Sequence, residues 1–194
     1  MLTRKGFIFP PIPAYAIHMK KVKRYCIIGI IFVSIAGTLA HFVYDWSGQN
    51  HIAGFFFPVS ESTWEHMKLC FFPMFLYSLF MICKLQDIQP CIISALPAGI
   101  LTGTFAIPVL FYTYTGILGR NFLPLDIGVF MISVILAFTS VYRLTLSCKT
   151  EHFTGILWLA VAILGLCFVW FTYHTPEIAI FTVSSFDQYK FLLT

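Results

Sequence analysis

Five apolar stretches, at about residues 25–44, 66–84, 91–114, 124–147 and 153–173, alternate with short polar connections. Each is close to or above the ~20 mainly apolar residues that a helix needs to cross a hydrocarbon core. The first connection, 46–62, carries Ser47, Gly48 and Gly54, then Phe55, Phe56, Phe57 and Pro58. An aromatic patch of this kind suits the membrane interface or a re-entrant dip better than a solvated loop. Ser62-Thr-Trp-Glu65 fits the S-x-x-E capping box, which predicts that Ser62 caps the second span, that Glu65 returns a bond to the first amides, and that the helix starts at residue 63. Pro73 falls inside that span and Pro97 and Pro108 inside the third, where they loosen or kink the backbone. The third span also holds Gly99-Ile-Leu-Thr-Gly103, a G-x-x-x-G that lets another helix approach closely. Asp126 opens the fourth span, where a carboxylate complements the positive helix end. Residues 174–194 are too short and interrupted for a sixth span, and no internal repeat supports a two-halves transporter architecture.

Composition agrees with this pattern. Of 194 residues 59% are hydrophobic and only 10% charged, against roughly 25% charged in soluble domains, and the mean hydropathy is +0.86. The predicted class is an all-α integral membrane protein with about five transmembrane helices. Residues 1–19 form a weakly structured N-terminal extension and 20–194 a single polytopic domain. The net charge of +4 does not indicate nucleic acid, because six of the twelve basic residues, Arg4, Lys5, Lys20, Lys21, Lys23 and Arg24, precede the first span. The positive-inside rule accounts for them with the N-terminus in the cytoplasm. Lys84, Arg143 and Lys149 then lie on or near the inner side, with Lys68, Arg120 and Lys190 outside. The basic run before an apolar segment ending Gly37-Thr-Leu-Ala40 loosely resembles a signal peptide, but the segment continues to full spanning length, and Met19 is an alternative initiation site. The cysteines Cys26, Cys70, Cys83, Cys91, Cys148 and Cys167 include no C-x-x-C pair, which favours packing thiols over a disulfide framework or thiolate zinc site.

One block departs from the apolar background. Residues 41–66 hold three of the eight acids and three of the six histidines, and ionisable groups near a bilayer core mark function by default. His41 and Asp45 are four apart on one helical face, as are Glu61 and Glu65 at the mouth of the next span. The two spans are consecutive and antiparallel, so both pairs fall at one membrane depth. His41, Asp45, Glu61 and Glu65, with His66 as a fifth group, form a donor set for a divalent metal ion. Glu61 and Glu65 are equally candidates for acid and base catalysis or proton-coupled transport. Taken singly each residue has a plainer role in capping, carbonyl bonding or solvation. H-E-x-x-H, G-x-S-x-G and P-loop signatures are absent from the sequence.

The segments His41 to Asn50 (HFVYDWSGQN) and Pro58 to Leu69 (PVSESTWEHMKL), followed by Phe71, Phe72 and Pro73, resemble the signature of a family of small bacterial multi-pass membrane proteins known only as a domain of unknown function. The resemblance covers the chain from about residue 20. It implies a multi-pass fold in a bacterial inner membrane and no activity. Ser60 departs from it, standing where an Asn often precedes the Glu. Three function classes stay open: a membrane-embedded metal or acid/base enzyme, a small proton-coupled transporter or substrate-binding subunit, and a non-enzymatic assembly subunit. The last would meet a membrane-protein partner or a second copy of itself through the G-x-x-x-G face.

Overall fold

The first apolar stretch belongs to a much longer helix. In the computed structural model, which describes residues 3–4, 7–8 and 12–182, α1 runs from Ile12 to Trp46. Helix therefore extends through the basic cluster Lys20 to Arg24 and into the segment expected to be a loose extension; Met19 and Val22 are buried against the bundle. Ahead of it, Thr3–Arg4 pairs antiparallel with Phe7–Ile8. The short helix α2 (His51–Phe56) follows, then α3 (Thr63–Leu85), α4 (Ile92–Leu118), α5 (Leu123–Ser147) and α6 (Thr154–Phe171). Five helices, all but α2, are long and apolar enough to cross a membrane. The tail beyond residue 182, with Lys190 and the remainder of the region judged too short for a sixth span, lies outside the described residues.

Packing distributes these helices by polarity. α3 touches α1, α4, α5 and α6, and α4 packs along α5. In α3 and α4, 56% of the most apolar window is buried inside the protein; in α6 the share is 17%. The helix with the fewest polar side chains thus turns most of its surface to lipid, while α3, which carries Glu65, His66 and Lys68, is enclosed. This is the arrangement that the cost of ionisable groups in hydrocarbon demands. Polar ties fix the neighbours: Tyr77 Oη donates to the Tyr25 carbonyl (2.8 Å) between α3 and α1, and Trp158 Nε1 donates to the Ile93 carbonyl (2.9 Å) between α6 and α4.

Gly99 and Gly103 face α5. A Cβ on Gly103 would stand 2.6 Å from Ala137 Cβ and 3.2 Å from the Ser133 carbonyl oxygen, and one on Gly99 would stand 2.9 Å from the Ala137 carbonyl oxygen. The close approach that G-x-x-x-G permits is therefore used within the chain. The glycine face expected to meet an assembly partner is covered by α5.

The cysteine expectation is corrected in part. Cys26 and Cys70 are buried packing thiols, but Cys91 and Cys148 are joined in a disulfide, with Cα atoms 5.3 Å apart. α4 and α5 are consecutive antiparallel neighbours, so the start of one and the end of the other meet at one end of the bundle. Gln89 Nε2 donates to the Thr145 carbonyl (3.2 Å) and Thr150 Oγ1 to Ser94 Oγ (3.0 Å) beside the bridge.

The polar block is shaped by local capping. α1 ends in a left-handed turn at Gly48 and Gln49, with φ of 69° and 60°. Ser47 Oγ accepts from the Asn50 amide (3.2 Å), and Asn50 Oδ1 accepts from the Ile52 amide (2.8 Å) to cap α2. Ser62 Oγ accepts from the Glu65 amide (3.3 Å), so α3 starts at Thr63. Glu65 reaches further back than a capping box requires and takes the Val59 amide (2.9 Å). Ser62→Ala is expected to cost about 1 kcal/mol, read as a lower unfolding midpoint in detergent that Ser62→Thr recovers; an unchanged midpoint would show that the cap adds nothing.

Candidate functional site

Three of the five proposed donors converge. His41, in the last turns of α1, and His66, in the first turn of α3, hold the Glu61 carboxylate between them: His41 Nε2 is 3.6 Å from Oε1 and His66 Nε2 is 3.3 Å from Oε2. The two imidazole centroids are 5.4 Å apart, and one donor atom from each of the three residues fits within a 4.8 Å spread. Both histidines are half-buried and Glu61 is more open.

The hydrogen bonds restrict what can occupy the space between them. His66 Nδ1 lies 2.9 Å from the Ser62 carbonyl, which can only accept, so Nδ1 carries a proton. A neutral ring would then aim a bare Nε2 lone pair at a carboxylate oxygen. A proton shared between Nε2 and the carboxylate, carried by either partner, relieves that arrangement, and so does a metal ion held by both. The Asp126 carboxylate, which accepts a short hydrogen bond from Tyr114 Oη, is near enough to act electrostatically on His66.

Asp45 and Glu65 stand apart from this cluster. Asp45 is exposed on the last turn of α1 and makes no side-chain hydrogen bond or ion pair with the described residues. Glu65 is buried, 2% exposed, and its Oε2 is 2.8 Å from Lys68 Nζ. Glu65 and His66 are adjacent on α3, and successive helical positions point about 100° apart, so His66 faces Glu61 and Glu65 faces the bundle interior.

Lys68 stands in the second turn of α3, at the end of the bundle where the span pattern puts it, but it is enclosed by protein and 1% exposed. Its ammonium donates three bonds: to Glu65 Oε2 (2.8 Å), to the Gly54 carbonyl (3.0 Å) and to Thr172 Oγ1 (2.7 Å). Every donor of the ammonium is used. α2 closes over this pair through the Gly54 carbonyl. Gly54 is required there, since a Cβ would strike the Tyr173 hydroxyl and stand 2.7 Å from Val59 Cγ1. Tyr173 Oη donates to the His51 carbonyl (3.0 Å), and its ring meets Phe55 edge-on at 5.4 Å. Burial, then the Tyr44 phenol and the Glu65 carboxylate, holds the Tyr173 phenol above its ordinary value and keeps it a donor.

Beside the three-residue cluster lies a cavity of about 500 Å³. Glu61 lines it together with Thr63, Thr115, Arg120 and Asn121. The 3₁₀ turn Ala179–Phe181 forms another wall, held by a bond from Tyr112 Oη to the Ala179 carbonyl (3.2 Å). Glu61 thus belongs to both the cluster and the cavity.

A family of unknown function, DUF6512, matches residues 15–191. The chain belongs to DUF6512. No curated protein and no solved structure matches it. Membership of DUF6512 agrees with the resemblance noted in the polar block and brings no activity with it, so the chemistry of this DUF6512 chain rests on its own geometry. The short signature segments are not themselves what the match reports; within them Ser47, Asn50 and Ser62 have capping roles, and His41, Glu61 and His66 come together.

Proposed function

We propose that this DUF6512 member is a membrane-embedded metalloprotein in which His41 Nε2, Glu61 and His66 Nε2 bind a divalent transition metal. The carrying observation is the Glu61 carboxylate bracketed by two Nε2 atoms at 3.6 and 3.3 Å, with His66 Nδ1 committed to the Ser62 carbonyl. Donors on a tetrahedral zinc ion with bonds of ~2.0–2.1 Å stand about 3.3 Å apart. The two nitrogen–oxygen separations approach that value, each to a different carboxylate oxygen, and the three donor atoms, now within 4.8 Å of one another, must draw closer to share one ion. The Ser62 carbonyl accepts from His66 Nδ1, the bond on the far side of the ring that orients a metal-bound imidazole. Two histidines and one glutamate leave a fourth position open, as in catalytic rather than structural zinc sites, and Glu61 carries that position to the edge of the cavity. A metal there would polarise a substrate oxygen or lower the pKa of bound water.

The basic end of the bundle is taken as cytoplasmic and the cluster as extracytoplasmic, in a bacterial inner membrane. The Cys91–Cys148 disulfide lies at the basic end of the bundle, and a disulfide there favours an oxidising compartment, which is the opposite orientation. A proton on His66 instead of a metal is the rival reading, and it corresponds to proton-coupled transport.

The deciding measurement is metal content. Protein purified in detergent without chelators is expected to carry about one zinc-like ion per chain. Glu61→Gln and His66→Ala lose it, and Asp45→Ala keeps it. Because ligands must be deprotonated, occupancy falls on acidification. Wild-type protein that is metal-free and takes up no added zinc sinks the metal reading in favour of the protonated one.

A further inference from the structure

We infer that the cavity beside Glu61 binds the phosphate of an amphiphile, with Arg120 and the metal as its two cationic clamps and the acyl part left in the bilayer. This deepens the metal reading by naming a substrate class, and it rests on that reading, since Glu61 is the only acid among the residues lining the cavity and would repel an anion unless a cation sat on it.

Arg120 is poised for this task. It is exposed, sits just past the end of α4, and makes no salt bridge with the described residues. Its guanidinium lies over the Phe122 ring, 4.3 Å from the centroid. A cation–π contact fixes the plane of the group and leaves its N–H donors free for an anion. Apart from the fully engaged Lys68, no other lysine or arginine among the described residues lies at this end of the bundle. Arginine is suited to phosphate through paired, charge-assisted bonds, and a divalent metal opposite it completes the kind of clamp that stabilises phosphoryl oxygens. Thr63 and Asn121 add polar groups to the same wall.

The other wall is apolar. Phe111 and Tyr112 line the cavity from α4, and the adjoining Ile117 and Leu118 are 78% and 49% exposed. In a helix that crosses the membrane these outward positions meet lipid. The cavity therefore opens at the depth where a head group meets acyl chains, and its volume falls in the usual range for small-ligand sites, roughly 300–1,000 Å³. Gly116 and Gly119 line it, and a Cβ at either would meet nothing within 4 Å, so both positions face open space.

The test uses the full chain in phosphatidylcholine nanodiscs, with binding of dioctanoyl phosphatidic acid, dioctanoylglycerol and inorganic phosphate measured by calorimetry. Dioctanoyl phosphatidic acid is expected to bind more tightly than either control. Arg120→Gln should weaken it about tenfold or more, as expected for loss of charge-assisted bonds. Gly116→Leu, which fills the space without meeting backbone, should abolish saturable binding. Both variants should retain metal and the wild-type melting temperature, so failure here is distinguishable from failure of the metal site. Equal affinity for dioctanoylglycerol overturns the anion, equal affinity for inorganic phosphate overturns the amphiphile, and unchanged affinity in Arg120→Gln overturns the clamp.

Discussion

Lys68→Met is expected to destabilise the protein by about 3–5 kcal/mol, the range for breaking a buried ion pair by removing one partner. The side chains of Lys68 and Glu65 are 0% and 3% exposed. Glu65 Oε1 is already buried without a hydrogen-bond partner among the described residues, so the carboxylate depends on Oε2 and its two donors. Removing the ammonium leaves it with the Val59 amide alone. The same change strips the Gly54 carbonyl and Thr172 Oγ1 of their donor, which leaves α2 tied to the end of α6 by Tyr173 alone among the hydrogen bonds of the described residues. The variant should therefore melt well below wild type in detergent and expose residues 51–57 to proteolysis. Glu65→Gln combined with Lys68→Met should recover much of the loss, because an apolar or neutral replacement of both partners is often nearly neutral. The coupling in that double-mutant cycle measures the pair. A Lys68→Met protein that melts within a degree of wild type would show that the ammonium is not buried.

The second large effect is steric. Gly103→Leu must place a branched side chain where even a Cβ stands 2.6 Å from Ala137 Cβ and 3.2 Å from Cys70 Sγ. The neighbours on α5 are helix backbone and a short side chain, neither of which can swing aside. Overpacking of a tight core costs about 1–3 kcal/mol and sometimes more, and here α4 must separate from α5, so the upper end or beyond is expected. Gly155→Leu is the control, since a Cβ there meets nothing within 4 Å. Gly103→Leu should give poorly folded, polydisperse protein on size exclusion while Gly155→Leu elutes as wild type. Equal behaviour of the two would mean that α4 and α5 do not pack through this face.

Legibility in the sequence followed how local each signal was. Span lengths, the start of α3 at Thr63 and the role of Ser62 come from patterns within a few residues, and they agree with the helices observed. The G-x-x-x-G signal reported a close approach without naming the partner, and the partner is α5. The Cys91–Cys148 pair was legible in principle, because consecutive antiparallel spans bring their distal ends together, but the lack of a short Cys spacing argued the other way. Arg120 and Asp126 were noticed only as loop and cap residues. Nothing in their spacing ties Arg120 to Glu61 across a cavity or sets Asp126 near His66.

Taken alone, the sequence determined that this is an all-α chain with five helices able to cross a membrane and that a group of acids and histidines gathers at one end of the first two spans. Hydrocarbon length and the cost of charge in lipid suffice for that much. Only the tertiary structure decided how the cluster divides. Glu61 and Glu65 are four apart, yet one meets two imidazoles at an open cavity and the other meets Lys68 in the interior. The reason is physical: helical periodicity ranks which faces neighbouring residues share, but Glu61 precedes the helix, and what fills the opposite side of α3 is set by α2 folding back and by Thr172 at the end of α6.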